Sequence, residues 1–218
     1  MASGGIREAW WSSLYGSFLW ERSRGEVCAH TAELSRRRTL LAAVLLWLFV
    51  SAGAVAQGGR ISRQEALSAA FPGAVIKAEQ VFLTKQQMAR ISEFARVDVE
   101  SGLVARYVAT LGGQVEGRAY VDTHIVRTKR ESLLISLTGD GVVKRIDVTA
   151  FLEPPEYRAG GRWLGQYTDR QLDDDLQLRR AIRSIAGATL TGSATNAAVR
   201  RVLAIDQVLE QSEETVER

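Results

Sequence analysis

Leu103 to Val126 reads LVARYVATLGGQVEGRAYVDTHIV, two apolar runs on either side of Gly112-Gly113. Both runs are rich in β-branched, aromatic and small apolar residues, which suit a pleated, half-buried surface. A glycine pair tolerates the positive φ of a tight reversal, so the pattern predicts strands over 103–111 and 114–126 joined as a hairpin. The pattern recurs downstream, where Gly139-Asp140-Gly141 separates runs at 132–138 and 142–151. In the last run Arg145, Asp147 and Thr149 alternate with Ile146, Val148 and Ala150, predicting one wet face and one buried face. Val75 to Leu83 reads as a further strand.

Helices flank these strands. Ser62 with Glu65 forms a capping box opening a short helix that stops at Phe71-Pro72-Gly73. Thr84 with Gln87 offers a second box, for a helix to about Arg96. Residues 194–211 are helical in pattern, with Ala198, Val202, Ile205 and Leu209 on one stripe. Glu153 to Asp175 has little regular pattern but carries Trp163, Leu164 and Tyr167. A long irregular segment with that apolar content points to function rather than disorder. The expected class is α+β, a small antiparallel sheet with flanking helices and one N-terminal membrane-spanning or signal helix.

Four regions follow from composition. Residues 1–38 have mixed charge, hold Trp10, Trp11 and Trp20, and end in Arg36-Arg37-Arg38. Residues 39–59 carry no charge, and a helix of that length covers about 30 Å, one bilayer core. They read as a transmembrane anchor or a signal h-region. The arginines hold the N-terminal side in the cytoplasm, so residues 60–211 form an exported domain, followed by a tail at 212–218. Ala54-Val55-Ala56 fits a signal-peptidase site, and Ser35 to Leu41 loosely matches a twin-arginine signal. The location expected is the bacterial inner membrane with the domain facing the periplasm, or the periplasm itself after cleavage behind Ala56.

The net charge of +3 forms no basic stripe with interleaved aromatics, so no nucleic-acid partner is expected. Cys28 is the single cysteine, and His30 and His124 are the two histidines. Disulfides, iron–sulfur ligation, a CxxCH haem site and a histidine metal centre are therefore not expected in the exported part. Redox chemistry in such a chain needs an organic cofactor.

Ala186-Gly187-Ala188-Thr189-Leu190-Thr191-Gly192-Ser193 supplies a place for one. Small residues allow close backbone approach, and hydroxyls with free N–H groups at a helix start suit a phosphate-sized anion. The stretch resembles the (Ser/Thr)-Gly-Ala-Thr-x-(Thr/Ser) signature of the FMN-binding domain family, found in the Rnf complex, in the sodium-pumping NADH:quinone oxidoreductase and in the nitrous-oxide regulator NosR. Glu153-Pro154-Pro155-Glu156-Tyr157 stands where that family has a loop beside the flavin ring. The resemblance covers roughly residues 100–205. It implies FMN held covalently through a phosphoester on Thr189, with Gly187, Ala188, Leu190, Thr191 and Ser193 around the phosphate. The chain departs from the family at two positions. Arg183 stands six residues before Thr189, where the attachment signal has aspartate, and Ala186 replaces a Ser or Thr.

A flavin ring needs an apolar wall and a few polar groups. Candidates are Glu153, Tyr157, Arg162 and Trp163 from the long loop, with Tyr120, Thr123 and His124 from the hairpin, His124 as a proton carrier. Arg127, Lys129, Arg130 and Arg158 are candidates for steering an acidic partner. The expected function is an electron-relaying flavoprotein module in a respiratory or Rnf-like chain rather than a self-sufficient enzyme. Its expected partners are a flavin transferase, membrane or periplasmic redox proteins, and the bilayer through 39–59. Without a Gly-x-Gly-x-x-Gly unit it is not expected to oxidise NADH unaided. A flavin-free or flavin-sensing regulatory module is the alternative, and a stand-alone flavin reductase a third reading.

Overall fold

The computed structural model describes residues 61–216, with side chains described as far as Glu213; the expectations for 1–38 and 39–59 lie outside this range. The described residues belong to one compact unit. Strands β1 (Val75–Phe82), β2 (Leu103–Leu111), β3 (Gln114–Ile125), β4 (Arg130–Thr138) and β5 (Val143–Phe151) form one antiparallel meander in chain order. Gly112 and Gly113 have φ of 59° and 84°, the left-handed pair that a two-residue turn matching the strand twist requires.

Helices α1 (Arg63–Ala70) and α2 (Lys85–Ala95) open on the two predicted capping boxes, both complete. A short α3 (Gly161–Leu164) lies between single 3-10 turns at Pro155–Tyr157 and Gly165–Tyr167, so the long loop is locally ordered. Helix α4 (Thr189–Val216) ends the described chain, and no helix among the described residues is long and apolar enough to cross a membrane.

The sheet has two unequal coverings. On its outer face Ala66, Leu67 and Ala70 from α1, with Phe71 just after it, meet Ala109, Ala119 and Leu134. On its inner face α2 and α4 bury Ile91, Ala198, Val202, Ile205 and Leu209 against Val104, Tyr120, Leu133, Ile135 and Leu137. Each large aliphatic side chain buried there stabilises by about 1.5–3 kcal/mol, and this is the main core. Gly117 lets the layers close. A Cβ there would meet the Leu137 carbonyl oxygen and come within 2.6 Å of the Phe71 ring. Gly117→Ala is expected to cost about 1–3 kcal/mol or more, read as a lower urea midpoint with an unchanged m-value.

Three expectations need correction. Register irregularities in the β4–β5 ladder interrupt the simple alternation of β5. Val148 faces Leu133, but Ala150 then pairs with Ser132 and Phe151 with Glu131, so Phe151 rather than Ala150 packs on the main core. Asp147, expected on a wet face, is buried, and Arg145 Nε donates to its carboxylate at 2.7 and 2.9 Å. Helix α4 starts at Thr189 rather than Ala194 and continues to Val216, through residues expected to be a tail. Its first turn tolerates Gly192 because Trp163, Leu178 and Ile185 pack around it, 3.7–3.8 Å from where a Cβ would stand. Tertiary contact there overrides weak helix propensity.

Candidate functional site

The end of the sheet where β3 and β5 finish and β4 begins lies beside the start of α4. Gly187, at φ 78°, turns the chain into that helix. Ala188 N–H donates to the Ile185 carbonyl at 3.3 Å, and Gly192 N–H to the Ala188 carbonyl at 3.1 Å. Ala188 thus holds the capping position and has no side-chain acceptor, unlike Ser62 before α1 and Thr84 before α2. Helix geometry leaves the N–H groups of Thr189, Leu190 and Thr191 without intrahelical partners. Thr189, Leu190 and Ser193 are exposed, Ala188 and Thr191 buried. The Thr191 hydroxyl donates to the Tyr157 carbonyl at 2.8 Å, so it ties the long loop down instead of facing outward. The positive end of a 28-residue helix therefore opens beside an exposed hydroxyl.

The loop that approaches this helix mouth is fixed at several points. Trp163 Nε1 donates to the Arg183 carbonyl at 2.6 Å, and the indole meets Tyr167 edge-on at 5.5 Å. Gln166 donates to the Trp163 carbonyl and accepts from Arg183 N–H at 3.0 Å. The Tyr167 hydroxyl donates to Asn196 of α4 at 3.0 Å. These ties frame a cleft of about 650 Å³ lined by Arg162, Trp163, Gln166, Arg170 and Arg183. Among the described residues no carboxylate forms an ion pair with Arg162, Arg170 or Arg183. The volume lies in the range of small-molecule and cofactor sites. Tyr157, Trp163 and the Thr189–Ser193 turn are thus brought together, with Arg162 at the cleft.

Other predicted site residues have different duties. Glu153 Oε1 accepts from the N–H groups of Thr128 and Lys129, both at 2.7 Å, and caps the β3–β4 turn. Those backbone bonds, Thr128 first, hold its carboxyl below the usual glutamate range. The Tyr120 hydroxyl donates to Asp206 at 2.8 Å inside the core. Thr123 bonds Ser132 at 3.0 Å and faces the opposite side of the sheet from His124.

His124 is held in a clamp that the sequence reading missed. Its Nδ1 lies 2.8 Å from Asp122 and its Nε2 3.1 Å from Glu131. Asp122 also receives Arg201 Nε at 2.7 Å, and Glu131 receives the Thr195 hydroxyl at 3.4 Å. Glu131 is fully buried, and its Oε1 has no partner among the described residues. The signal was available only through hairpin register, which sets His124 directly opposite Glu131. Burial opposes the charged imidazole, but the bonds to Asp122 and Glu131 outweigh it and push the pKa from 6.5 up to about 9. Both ring protons are therefore committed to carboxylates, which leaves no free nitrogen to exchange protons with a ligand.

The clamp carries a pH dependence. Because the folded pKa is raised, the stabilisation is complete below pH about 6.5 and is lost as pH rises through about 9. The lift corresponds to roughly 3 kcal/mol. Urea unfolding from pH 6 to 10 should show this decline in the wild type and a flatter profile in His124→Gln; parallel profiles would refute the clamp.

Compared with protein-family models and with curated proteins, the chain finds no match in either.

Proposed function

We propose that residues 60–211 carry FMN through a phosphoester to Thr189 and relay electrons between redox proteins, on the exported side of a membrane to which residues 39–59 tie them. The observation that supports this most is the start of α4, where an exposed threonine hydroxyl stands on an uncapped helix. The residues present fit the group. Gly187 and Ala188 keep side-chain bulk away from the turn, and three free N–H groups suit a phosphate dianion by about 0.3–1 kcal/mol or more. The nearby cleft offers Trp163 as a wall and unpaired guanidiniums for an anionic ligand. FMN held there would supply two-electron acceptance with one-electron release. The chain's own residues hold and orient: Thr191 anchors the Tyr157 loop, and the Trp163–Arg183 bond keeps the wall in place. A covalent tie suits an exported protein, which has no cytoplasmic flavin pool to replace a lost cofactor.

Full-length protein produced with a competent flavin transferase should be yellow and remain fluorescent after denaturing electrophoresis. A colourless product, even with excess FMN, would sink the reading. The regulatory alternative draws on Arg183 and Ala186, the two departures from the attachment signal. Reversible FMN binding without a covalent product would favour it. Sequencing the mature N-terminus distinguishes an anchored protein from one cleaved behind Ala56.

A further inference from the structure

The outer face of the sheet is covered only in part, and four large apolar residues stand open at one end of it. They are Phe82, Leu103, Ile125 and Leu152, exposed by 73, 52, 63 and 53%. Phe82 lies directly opposite Leu103 in the β1–β2 ladder. Leu103 shares its face with Ala105, which pairs with Val121, and Ile125 lies four residues further on the same side of β3. Leu152 N–H donates to the carbonyl of Arg130, and Arg130 pairs with Ile125. The four therefore stand across one end of one face, from the β1 edge to the β5 edge.

Charge distinguishes this end from the rest of the surface. The adjoining turn carries Arg127, Lys129 and Arg130, all exposed and none ion-paired among the described residues. Glu153, which reaches this turn, accepts from the Thr128 and Lys129 amides and stays ionised, so the three cations with this one carboxylate leave the turn net positive. The opposite end of the sheet also exposes Val75, Leu111 and Val115. There, however, Lys144 is paired with Glu116 at 2.8 Å. Apolar side chains beside unpaired cations are the composition of a surface that rests at a headgroup boundary. Long basic side chains can place their stems along the apolar region and their charges at the phosphates.

The described chain begins at Ile61, which packs with the α1 cluster on the outer side of the sheet. The uncharged stretch 39–59 ends two residues before it. An isologous dimer through this end would bring like charges together, so a second copy suits it less well.

We propose that the Phe82–Leu103–Ile125–Leu152 end of the sheet, rimmed by Arg127, Lys129 and Arg130, docks on the surface of an anionic bilayer. The proposal rests on the membrane-anchor reading and is independent of the flavin. The test uses full-length protein carrying Cys28→Ser and one new cysteine, Ile125→Cys or Leu152→Cys at this end, or Val115→Cys at the opposite end. Each is labelled with a small fluorophore and placed in nanodiscs of phosphatidylethanolamine and phosphatidylglycerol with brominated acyl chains. The labels at 125 and 152 should be quenched severalfold more than the label at 115. Discs of phosphatidylcholine alone, or a combined R127Q/K129Q/R130Q variant, should reduce that difference. Equal quenching at both ends in protein that floats with the discs overturns the docking alone. Failure to float overturns the anchor and the docking with it. Concentration-dependent shielding of this end without lipid would assign it to self-association and also overturn the proposal.

Discussion

Asp206→Ala is expected to lower the unfolding free energy by about 3–5 kcal/mol, because it strips a partner from a buried charge. Arg118 on β3 donates Nε to Asp206 at 2.5 Å and Nη2 at 2.9 Å, and both side chains are almost fully buried. The Tyr120 hydroxyl bonds the same carboxylate, and Arg118 also reaches Glu210 at 2.9 Å and the Gly139 carbonyl at 3.1 Å. Burial opposes the charged guanidinium, but its bonds to Asp206 outweigh that and hold it still more firmly protonated. Desolvation pushes the Tyr120 phenol well above its usual range, so it stays a donor. The alanine variant leaves one guanidinium short of its main acceptor and one phenol with none. Since α4 supplies the carboxylate and β3 the other two groups, the loss loosens helix from sheet. Urea unfolding measures the cost. A combined Arg118→Met and Asp206→Leu variant should recover much of it, because both charges leave together. A loss below about 1 kcal/mol in the single variant would show that water or Glu210 replaces the carboxylate.

Strands and capping boxes were legible because each rests on local chemistry. Gly112-Gly113 marks its own turn, and Ser62 with Glu65 or Thr84 with Gln87 closes within one helical turn. What escaped were features set by pairing. The irregularities in the β4–β5 ladder move Ala150 off the core, and nothing in the alternation of 142–151 announces them. Asp147 is buried because α1 and its neighbours cover part of a face that the pattern alone leaves open. The early start of α4 depends on Trp163, distant in sequence, filling space around Gly192. At the site, the small and hydroxylated spelling of 186–193 pointed to a helix start but set it at Ala194 instead of Thr189, whereas the His124 clamp joins Asp122, Glu131, Thr195 and Arg201 from β3, β4 and α4. Each of those residues alone looks like ordinary surface or capping chemistry.

Thr189→Ala should abolish covalent flavin while changing stability by no more than about 0.5 kcal/mol, since the side chain is exposed. Thr189→Ser keeps a hydroxyl at the same place and should retain attachment. Arg183→Asp places an acid where the resembling attachment signal has one but removes a cleft guanidinium; the position is exposed, so the fold should hold while covalent attachment rises and reversible binding of free FMN weakens. In-gel fluorescence normalised to protein reads all three. Equal fluorescence in the wild type and Thr189→Ala would move the attachment elsewhere.

Trypsin releases residues 184–200 as one peptide, containing Thr189 together with Thr191, Ser193 and Thr195. Fragmentation mass spectrometry of this peptide, from protein matured beside a flavin transferase, tests the central claim most directly. One FMN phosphoester on Thr189 is the predicted result. An unmodified peptide, or FMN on another of its hydroxyls, would contradict it.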